Sequence, residues 1–151
     1  KKEKIIPYKE VNKILSTIDA LLIEKNITVN NLINKDLILR TDRESFRTIF
    51  SNLLNNAIKY SPNETTIDFI SKTDKNYVTI SIKDNGYGID KNNIKRIFER
   101  FYRTSKARAH TKGTGLGLAL VKQLSQRIGA NVHVESIINE GSEFFVSFDH
   151  K

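Results

Sequence analysis

The sequence predicts an α+β fold in which one mixed sheet of about five strands is backed by three helices. Three long stretches carry apolar residues at helical spacing, and short runs rich in β-branched residues lie between them. Strands and helices therefore interleave along the chain instead of falling into separate halves. The 151 residues suit a single domain, and no internal repeat or low-complexity linker divides them.

The composition indicates a globular domain with a basic surface. Hydrophobic residues make up 38% and charged residues 28% of the chain, which excludes a disordered segment. The net charge of +8 favours polyanionic ligands, namely nucleic acid, a membrane surface or nucleotide phosphate. Cysteine is absent, which excludes disulfides and thiolate metal sites. No apolar run has the length of a membrane span, and no signal peptide is visible. Because the first residue is Lys and not Met, we expect the chain to be a segment of a longer protein.

The first half of the chain is predicted to contain two helices with a hairpin between them. Apolar residues at helical spacing predict the first helix over residues 8–24. Two short apolar runs, 27–29 and 37–39, are separated by Asn-rich turns and predict the hairpin. Asp42 is a typical N-cap for the second helix, which a Ser-Pro pair at 61–62 ends.

The second half is predicted to supply the rest of the sheet and the third helix. Strands over 66–71 and 77–83 meet at a polar turn, and Asp84 closes the second of them. Apolar residues at 94, 97 and 98 predict a short helix, and the weakly patterned residues 104–112 predict a mobile loop. The remaining elements are a helix over 116–128 that Gly129 ends, and two strands over 132–134 and 144–148.

One face of the second helix carries two amides and an ammonium group. Asn52 and Asn56 lie four residues apart and Lys59 three further on, so all three share a face opposite the apolar stripe. Mg²⁺ prefers oxygen ligands and retains several waters, so one amide oxygen together with phosphate oxygens suffices, and a lysine can neutralise phosphate. Asparagines are also common on solvated helix faces of an Asn-rich chain, so this segment alone leaves both interpretations open.

A carboxylate followed by two glycines ends the strand over 77–83. Asp84 could accept a hydrogen bond from the exocyclic amine of adenine, whereas guanine presents a carbonyl at that position. Gly86 and Gly88 would let the backbone approach the ring without a Cβ. An Asp-Asn-Gly turn is also an ordinary strand end, and the segment by itself fits either interpretation.

A glycine-rich segment leads into the third long helix, and its residues are Gly113, Thr114, Gly115, Leu116, Gly117 and Leu118. Backbone N–H groups and the helix dipole at such a position attract phosphate. The segment does not follow a strand directly, as a dinucleotide-binding fingerprint would require, and it lacks the Gly-Lys-Ser/Thr end of a P-loop.

Four segments, 52–60, 84–89, 98–103 and 113–118, together resemble the catalytic ATP-binding domain of bacterial sensor histidine kinases. That domain belongs to the superfamily of gyrase B, the Hsp90 chaperones and MutL. The resemblance extends over residues 8–148 and includes all five sequence boxes of the family in order. It implies a two-layer α/β sandwich of Bergerat type with an ATP lid, and the cofactors ATP and Mg²⁺.

The helix segment matches the N box of this family residue by residue. By that match Asn56 coordinates Mg²⁺, Lys59 contacts phosphate and Tyr60 flanks the adenine. Asn52 lines the phosphate region, at the position where ATP-hydrolysing members of the superfamily carry a water-activating Glu. An amide has no useful basicity near neutral pH, which implies that the site protects ATP from water until another acceptor arrives.

The first and third glycine boxes supply the implied adenine site. Asp84 matches the adenine-binding carboxylate of the first box. Gly86, Gly88 and Ile89 continue this box. Ser142, in the third box, matches the residue that helps hold the carboxylate and its water.

The lid and the F box complete the implied site. Residues 113–118 match the end of the ATP lid, with Lys112 where many members have glycine. Phe98 and Phe101 match the F box and are expected to pack into the core and anchor the lid, and Phe101 is included in the nucleotide site. Arg103 matches an arginine that contacts phosphate and would stabilise charge on the transferring phosphoryl group. The implied catalytic residues are Asn52, Lys59 and Arg103.

The resemblance also implies the setting of the domain. Such a domain transfers the γ-phosphoryl of ATP to a histidine on a separate dimerisation and phosphoacceptor domain, from which a response regulator receives it. No such hairpin is visible, so residues 1–7 are interpreted as a remnant of its linker and 8–151 as the catalytic domain. His110, His133 and His150 are not expected to be acceptors. We expect a cytoplasmic domain of a sensor anchored in the inner membrane.

Three alternatives remain. A Ser/Thr kinase of the anti-sigma-factor type, or an ATPase, from the same superfamily is opposed by the F box and by Asn52. A module that binds a partner without nucleotide is opposed by intact Asn56, Lys59 and Asp84. A nucleic-acid binder is suggested only by the charge, and no recognised nucleic-acid module is present, so nucleic acid is not an expected partner.

Overall fold

A computed structural model describes residues 1–103 and 116–150. Its helices are α1 (Pro7–Thr17), α2 (Asp19–Lys25), α3 (Arg43–Lys59), α4 (Lys91–Ile94) and α5 (Gly117–Arg127). Its strands are β1 (Glu3–Ile5), β2 (Thr28–Leu32), β3 (Leu39–Thr41), β4 (Thr66–Thr73), β5 (Tyr77–Asp84), β6 (Asn131–Ile137) and β7 (Gly141–Asp149). No helix in these two segments combines the length and the apolar character that crossing a membrane requires.

The predicted α+β class, a mixed sheet backed by three long helices, is confirmed. Five strands form one sheet in the order β2-β4-β5-β7-β6, while β1 pairs with β3 separately. β2 runs parallel to β4, and the other neighbours in the sheet are antiparallel. The buried sides of α1, α3 and α5 join alternate strand residues in one core. In that core the ring of Phe50 lies 4.7 Å from Phe46 on α3 and 6.3 Å from Phe69 on β4, measured between centroids.

The predicted first helix is interrupted. α1 begins at Pro7, whose fixed φ suits a first helical position, and ends at Thr17. Ile18 leaves helical geometry with φ −123° and ψ 16°, and α2 starts at the next residue. The hydroxyl of Thr17 donates to the carbonyl oxygen of Ile14 and so competes with continuation of the helix. The prediction of one helix over 8–24 is therefore wrong.

The predicted hairpin over 27–39 does not form. β2 pairs in parallel with β4, with Thr28 opposite Thr66, whereas β3 pairs with β1. Between the two strands the chain buries Ile33 at 3% exposure, so it enters the core instead of turning back on itself. β1 lies within residues 1–7, whose interpretation as a linker remnant stays a prediction.

The second and third long helices and the remaining predicted strands are confirmed with small shifts of their ends, whereas the short helix predicted from residues 94, 97 and 98 lies earlier, at Lys91–Ile94. The carboxylate of Asp42 accepts from the N–H of Ser45 over 3.0 Å and caps α3 as predicted. Gly129, at φ +74°, follows α5 as predicted. α4 covers only four residues, and Phe98 lies in the turns beyond it. The predicted mobile loop over 104–112 lies outside the described residues.

Candidate nucleotide-binding site

The polar face of α3 forms one wall of the candidate site. Because the apolar face of the helix is buried in the core, Asn52 and Asn56 lie half-buried and Lys59 exposed on the other side. The Asn52 amide nitrogen donates to the carbonyl oxygen of Thr48 over 2.8 Å, which fixes the orientation of the amide. The three side chains that helical spacing places on one face therefore line one surface.

The N-terminus of α5 lies against this wall. A Cβ added to Gly117 would lie 3.2 Å from Oδ1 of Asn52, so the two helices approach closely at this point. Leu116, at the N-cap position, cannot cap the first turn with its side chain, and the positive end of the helix therefore suits an anion. Leu116, Gly117 and Leu118 are half-buried, whereas Gly113, Thr114 and Gly115 lie outside the described residues.

The donor set on α3 fits a magnesium ion that takes most of its ligands from phosphate and water. No group of three or more His, Cys, Asp or Glu side chains that could hold a metal ion occurs among residues 1–103 and 116–150. A cation at this wall would bind the amide oxygen of half-buried Asn56 together with non-protein oxygens. Mg²⁺ is commonly held in this way, through few protein ligands and substrate phosphates.

The C-terminal end of α3 is fastened to the loop that follows β5. The carbonyl oxygen of Tyr60 accepts from the N–H of Tyr87 over 3.2 Å. A Cβ on Gly86 would lie 2.2 Å from the same carbonyl oxygen, so only glycine permits this contact. The Nζ of Lys25 donates to two further carbonyl oxygens at this end of the helix, over 2.6 and 2.7 Å. Tyr60 and the loop after β5 are thus held together.

Asp84 is a buried carboxylate held by two backbone N–H groups. Its side chain ends β5 at 5% exposure. Oδ1 accepts from the N–H of Gly86 over 2.8 Å and from the N–H of Ser142 over 3.2 Å. Burial raises the pKa of Asp84 from 3.8 to about 6, against the opposing effect of these two hydrogen bonds. Because both bonds end on Oδ1, Oδ2 is left to accept from a ligand.

Two glycines bring the turn between β6 and β7 onto the same loop. A Cβ on Gly141, at φ +123°, would lie 2.1 Å from the carbonyl oxygen of Asp84. A Cβ on Gly88, at φ +73°, would lie 2.2 Å from the carbonyl oxygen of Ile137. The predicted reason for Gly88 was approach of a ligand, whereas the structure gives it a close contact within the protein. The glycines therefore shape the surroundings of Asp84 before any ligand binds.

Ser136 joins these parts and was not among the predicted site residues. Its hydroxyl accepts from the N–H of Ile89 over 2.7 Å and donates to the carbonyl oxygen of Gly141 over 3.0 Å. It also lies 2.8 Å from the hydroxyl of Ser142. The hydroxyl of Ser142 thus contacts Ser136, while its backbone N–H holds Asp84. The sequence carried one signal for Ser136, since it shares the inward face of β6 with Val132 and Val134, where a polar residue is unusual.

The two F-box aromatics differ in burial. Phe98 is half-buried and its ring packs edge-on against Phe144, with 6.2 Å between centroids, as expected for a core residue. Phe101 is 65% exposed and has φ +67°, so the expectation that it packs into the core is wrong. Three-residue spacing predicts a shared face only while the chain is helical, and α4 has ended before either ring. Arg103 is half-buried.

Segments far apart in the sequence converge on this region. Asn52 meets the start of α5, Tyr60 meets Gly86, and Asp84 meets Ser142. An amide-lined helix, a helix N-terminus that its N-cap residue Leu116 does not cap with a side chain, and a buried carboxylate together define a class of site suited to a purine with an anionic tail.

The comparisons with known proteins agree with this class. Residues 41–151 match the family described as histidine kinase-, DNA gyrase B- and HSP90-like ATPase, and the chain belongs to that family. The family predicted from the sequence motifs is therefore confirmed.

Among curated relatives, the sensor histidine kinase WalK of Bacillus subtilis (strain 168) is 34% identical over 126 residues, which are 82% of this chain and 21% of WalK. The chain spans about a fifth of the length of the curated relatives it matches.

Solved structures share the fold. The mycobacterial sensor histidine kinase MprB has a TM-score of 0.84 at 22% identity, covering 99% of this chain and 97% of that one. Full-length ShkA in complex with AMPPNP has a TM-score of 0.85 at 25% identity, covering 97% of this chain and 30% of that one.

Proposed function

We propose that this chain binds Mg-ATP and transfers its γ-phosphoryl group to a histidine on a separate dimerisation and phosphoacceptor domain, as the catalytic domain of a sensor histidine kinase. The observation that carries this proposal is the buried carboxylate of Asp84, which two backbone N–H groups hold on the loop that contacts the C-terminal end of α3. The sensor histidine kinases among the relatives and the AMPPNP bound to ShkA support an adenine nucleotide as the ligand.

Asp84 accounts for the choice of base. With Oδ1 occupied by two N–H groups, Oδ2 accepts from the 6-amino group of adenine. Guanine presents a carbonyl oxygen there, which would repel a carboxylate and leave it buried without a donor. Tyr60 flanks the base, and Gly86, Gly88 and Ile89 form the loop beside it.

The phosphates extend from the base towards α3 and the start of α5. Asn56 would hold Mg²⁺, which neutralises phosphate charge and orients the γ-phosphoryl group when bound. Lys59 and Arg103 supply positive charge, and the first turn of α5 supplies backbone N–H groups near Gly117. Catalysis by these residues is mostly positioning and charge neutralisation.

Asn52 favours phosphotransfer over hydrolysis. Its amide is fixed by the bond to the Thr48 carbonyl and cannot act as a general base for water. The phosphoryl group therefore remains on ATP until a better acceptor is presented. The relatives are about four times as long as this chain, so the acceptor histidine is expected in another part of the parent protein. We place this domain on the cytoplasmic side of a membrane-anchored sensor, with a response regulator receiving the phosphoryl group.

Calorimetric titration with AMPPNP, with and without Mg²⁺, tests this function. We expect one-to-one binding that Mg²⁺ tightens, and Asp84→Asn should weaken AMPPNP about 10- to 100-fold, because the new NH₂ group would face the adenine amine. Tripolyphosphate, which has no base, should lose less than about threefold in the same variant. Asp149→Asn is the matched control, because Asp149 is an exposed carboxylate at the end of β7. This substitution should change the affinity for neither ligand.

Two results would overturn the proposal. Absence of AMPPNP binding at millimolar concentration would refute the proposal that the chain binds an adenine nucleotide. Equal losses of affinity for AMPPNP and tripolyphosphate in Asp84→Asn would refute the proposed contact between Asp84 and adenine. If binding is confirmed, phosphotransfer to a supplied acceptor hairpin tests the second half of the proposal, and steady ATP hydrolysis without an acceptor would contradict the role given to Asn52.

A further inference from the structure

Ser136 has a hydroxyl whose hydrogen-bonding capacity is fully used at the rim of the proposed base site. A hydroxyl has one proton to donate and two lone pairs to accept. The proton of Ser136 goes to the carbonyl oxygen of Gly141, and one lone pair accepts from the N–H of Ile89. With the proton of Ser136 on Gly141, the hydroxyl of Ser142, 2.8 Å away, is the donor to the second lone pair. Three groups from two separate chain segments depend on this one side chain.

The three residues that carry these groups either contact Asp84 themselves or lie on the loop that does. Gly141 is pressed against the Asp84 backbone, and the N–H of Ser142 bonds to Oδ1 of Asp84. Ile89 is the last residue of the loop that begins at Gly86, the other donor to Oδ1. Both donors to the Asp84 carboxylate thus lie within three residues of a group that Ser136 fixes.

We propose that Ser136 is a positioning residue for adenine recognition: its hydroxyl locks the loop over 86–89 to the turn between β6 and β7 and so aims Asp84 at the base. This inference rests on the proposed function for its ligand, but the locking of the loop is a property of the ligand-free protein. Replacing the hydroxymethyl group by the methyl group of alanine leaves the Ile89 N–H and the Gly141 carbonyl without this partner, and the loop can then move away from β7.

The test compares Ser136→Ala with Ser136→Thr and Ser147→Ala in the 151-residue chain. Thr retains the hydroxyl on a strand position that suits a β-branched residue. Ser147 is the matched control, because it also lies on a strand of the sheet and its hydroxyl lies 2.9 Å from the hydroxyl of Thr79. Ser147 alternates with the buried residues of β7 and therefore lies on the opposite face of that strand. The ligands are ADP and tripolyphosphate, measured by calorimetry, and urea unfolding reports whether each variant is folded.

Ser136→Ala is expected to weaken ADP about tenfold and tripolyphosphate less than about twofold, since only the base end loses its alignment. Ser136→Thr should restore most of the ADP affinity, and Ser147→Ala should match the unsubstituted chain for both ligands. Equal losses for ADP and tripolyphosphate, or an ADP affinity in Ser136→Ala equal to that of Ser147→Ala, would overturn the inference.

Amide hydrogen exchange in the ligand-free chain separates this inference from the proposed function. Ser136→Ala should speed exchange of the Ile89 N–H about tenfold or more and leave the N–H groups of α3 unchanged. If the chain binds no ADP, the proposed function fails and so does the adenine role of Ser136, whatever the exchange result. If ADP binds but the Ile89 exchange rate does not change in Ser136→Ala, the locking role of Ser136 is refuted.

Discussion

Replacing Asp84 with asparagine is expected to stabilise the ligand-free protein at neutral pH, although it removes a binding group. Burial raises the pKa of Asp84 from 3.8 to about 6 in the folded protein. Well below pH 3.8 the carboxyl is protonated in both the folded and the unfolded chain, and the associated stability is fully present. As the pH rises through the folded pKa this stability is lost, because the unfolded chain ionises more easily.

The size of this effect follows from the two pKa values. Each pKa unit corresponds to about 1.4 kcal/mol, so the full effect of Asp84 on the free energy of unfolding is about 3 kcal/mol, of which about 2 kcal/mol is lost between pH 4 and pH 7. Asparagine does not ionise, and its amide oxygen can still accept from the N–H groups of Gly86 and Ser142. Asp84→Asn should therefore differ from the unsubstituted chain in stability by less than about 1 kcal/mol near pH 4 and exceed it by up to about 3 kcal/mol above pH 7.

Urea unfolding of both chains at several pH values between 4 and 8 measures the difference directly, and effects of the other titrating groups cancel in it. Asp74→Asn is a control of opposite sign. The N–H groups of Asn76 and Tyr77 each donate to the Asp74 carboxylate over 2.8 Å and lower its pKa. That variant should lose stability above pH 4 relative to the unsubstituted chain. A difference for Asp84→Asn that stays constant from pH 4 to 8, or a loss of stability at pH 7.5, would refute the reasoning.

Three further predictions concern the frame of the site. Gly141→Ala should destabilise the fold by about 3 kcal/mol or more in urea unfolding, because φ is +123° and the added Cβ would overlap the Asp84 carbonyl oxygen. Gly129→Ala is the control and should cost only about 1–2 kcal/mol, because its φ is +74° but no atom lies within 4 Å of the added Cβ. Lys25→Met should cost about 1–2 kcal/mol, since two carbonyl oxygens at the end of α3 lose their donor; an unchanged unfolding midpoint would show that these bonds contribute nothing. Asn56→Ala should abolish the tightening of AMPPNP binding by Mg²⁺, and a Mg²⁺ effect that persists in calorimetry would contradict the assignment.

Local patterns predicted the elements whose determinants are close together in sequence. The cap at Asp42, the shared face of Asn52 and Asn56, and the strands on either side of the turn at 74–76 depend on neighbours within about four residues. Such neighbours are visible in any sequence. The location of the candidate site was predictable for the same reason, because its residues occur in short contiguous boxes.

Long-range partners were the part that the sequence did not disclose. The runs at 27–29 and 37–39 have the composition of strands, but β2 finds its partner in β4 and β3 in β1, so the hairpin prediction failed. Ser136 escaped notice because its donor, Ile89, lies 47 residues away. Phe101 was assigned to the core by spacing that holds only in a helix, and the chain has left the helix before reaching it.

Several places where the fold conflicts with the rules of stability lie at or beside the residues that the motifs identify. Asp84 is a carboxylate that is only 5% exposed, and burial raises its pKa despite two backbone hydrogen bonds. A neutral amide would therefore be more stable at this position. Gly86 and Gly141 cost more conformational entropy on folding than other residues would, but the backbone approaches too closely at these positions for any other residue to fit. A domain selected for stability alone would not concentrate such features around one carboxylate. Since the conflicts are read from geometry and the motifs from sequence, the two point independently to the same candidate site, and the cost in stability at Asp84 supports the proposal that its charge serves a ligand.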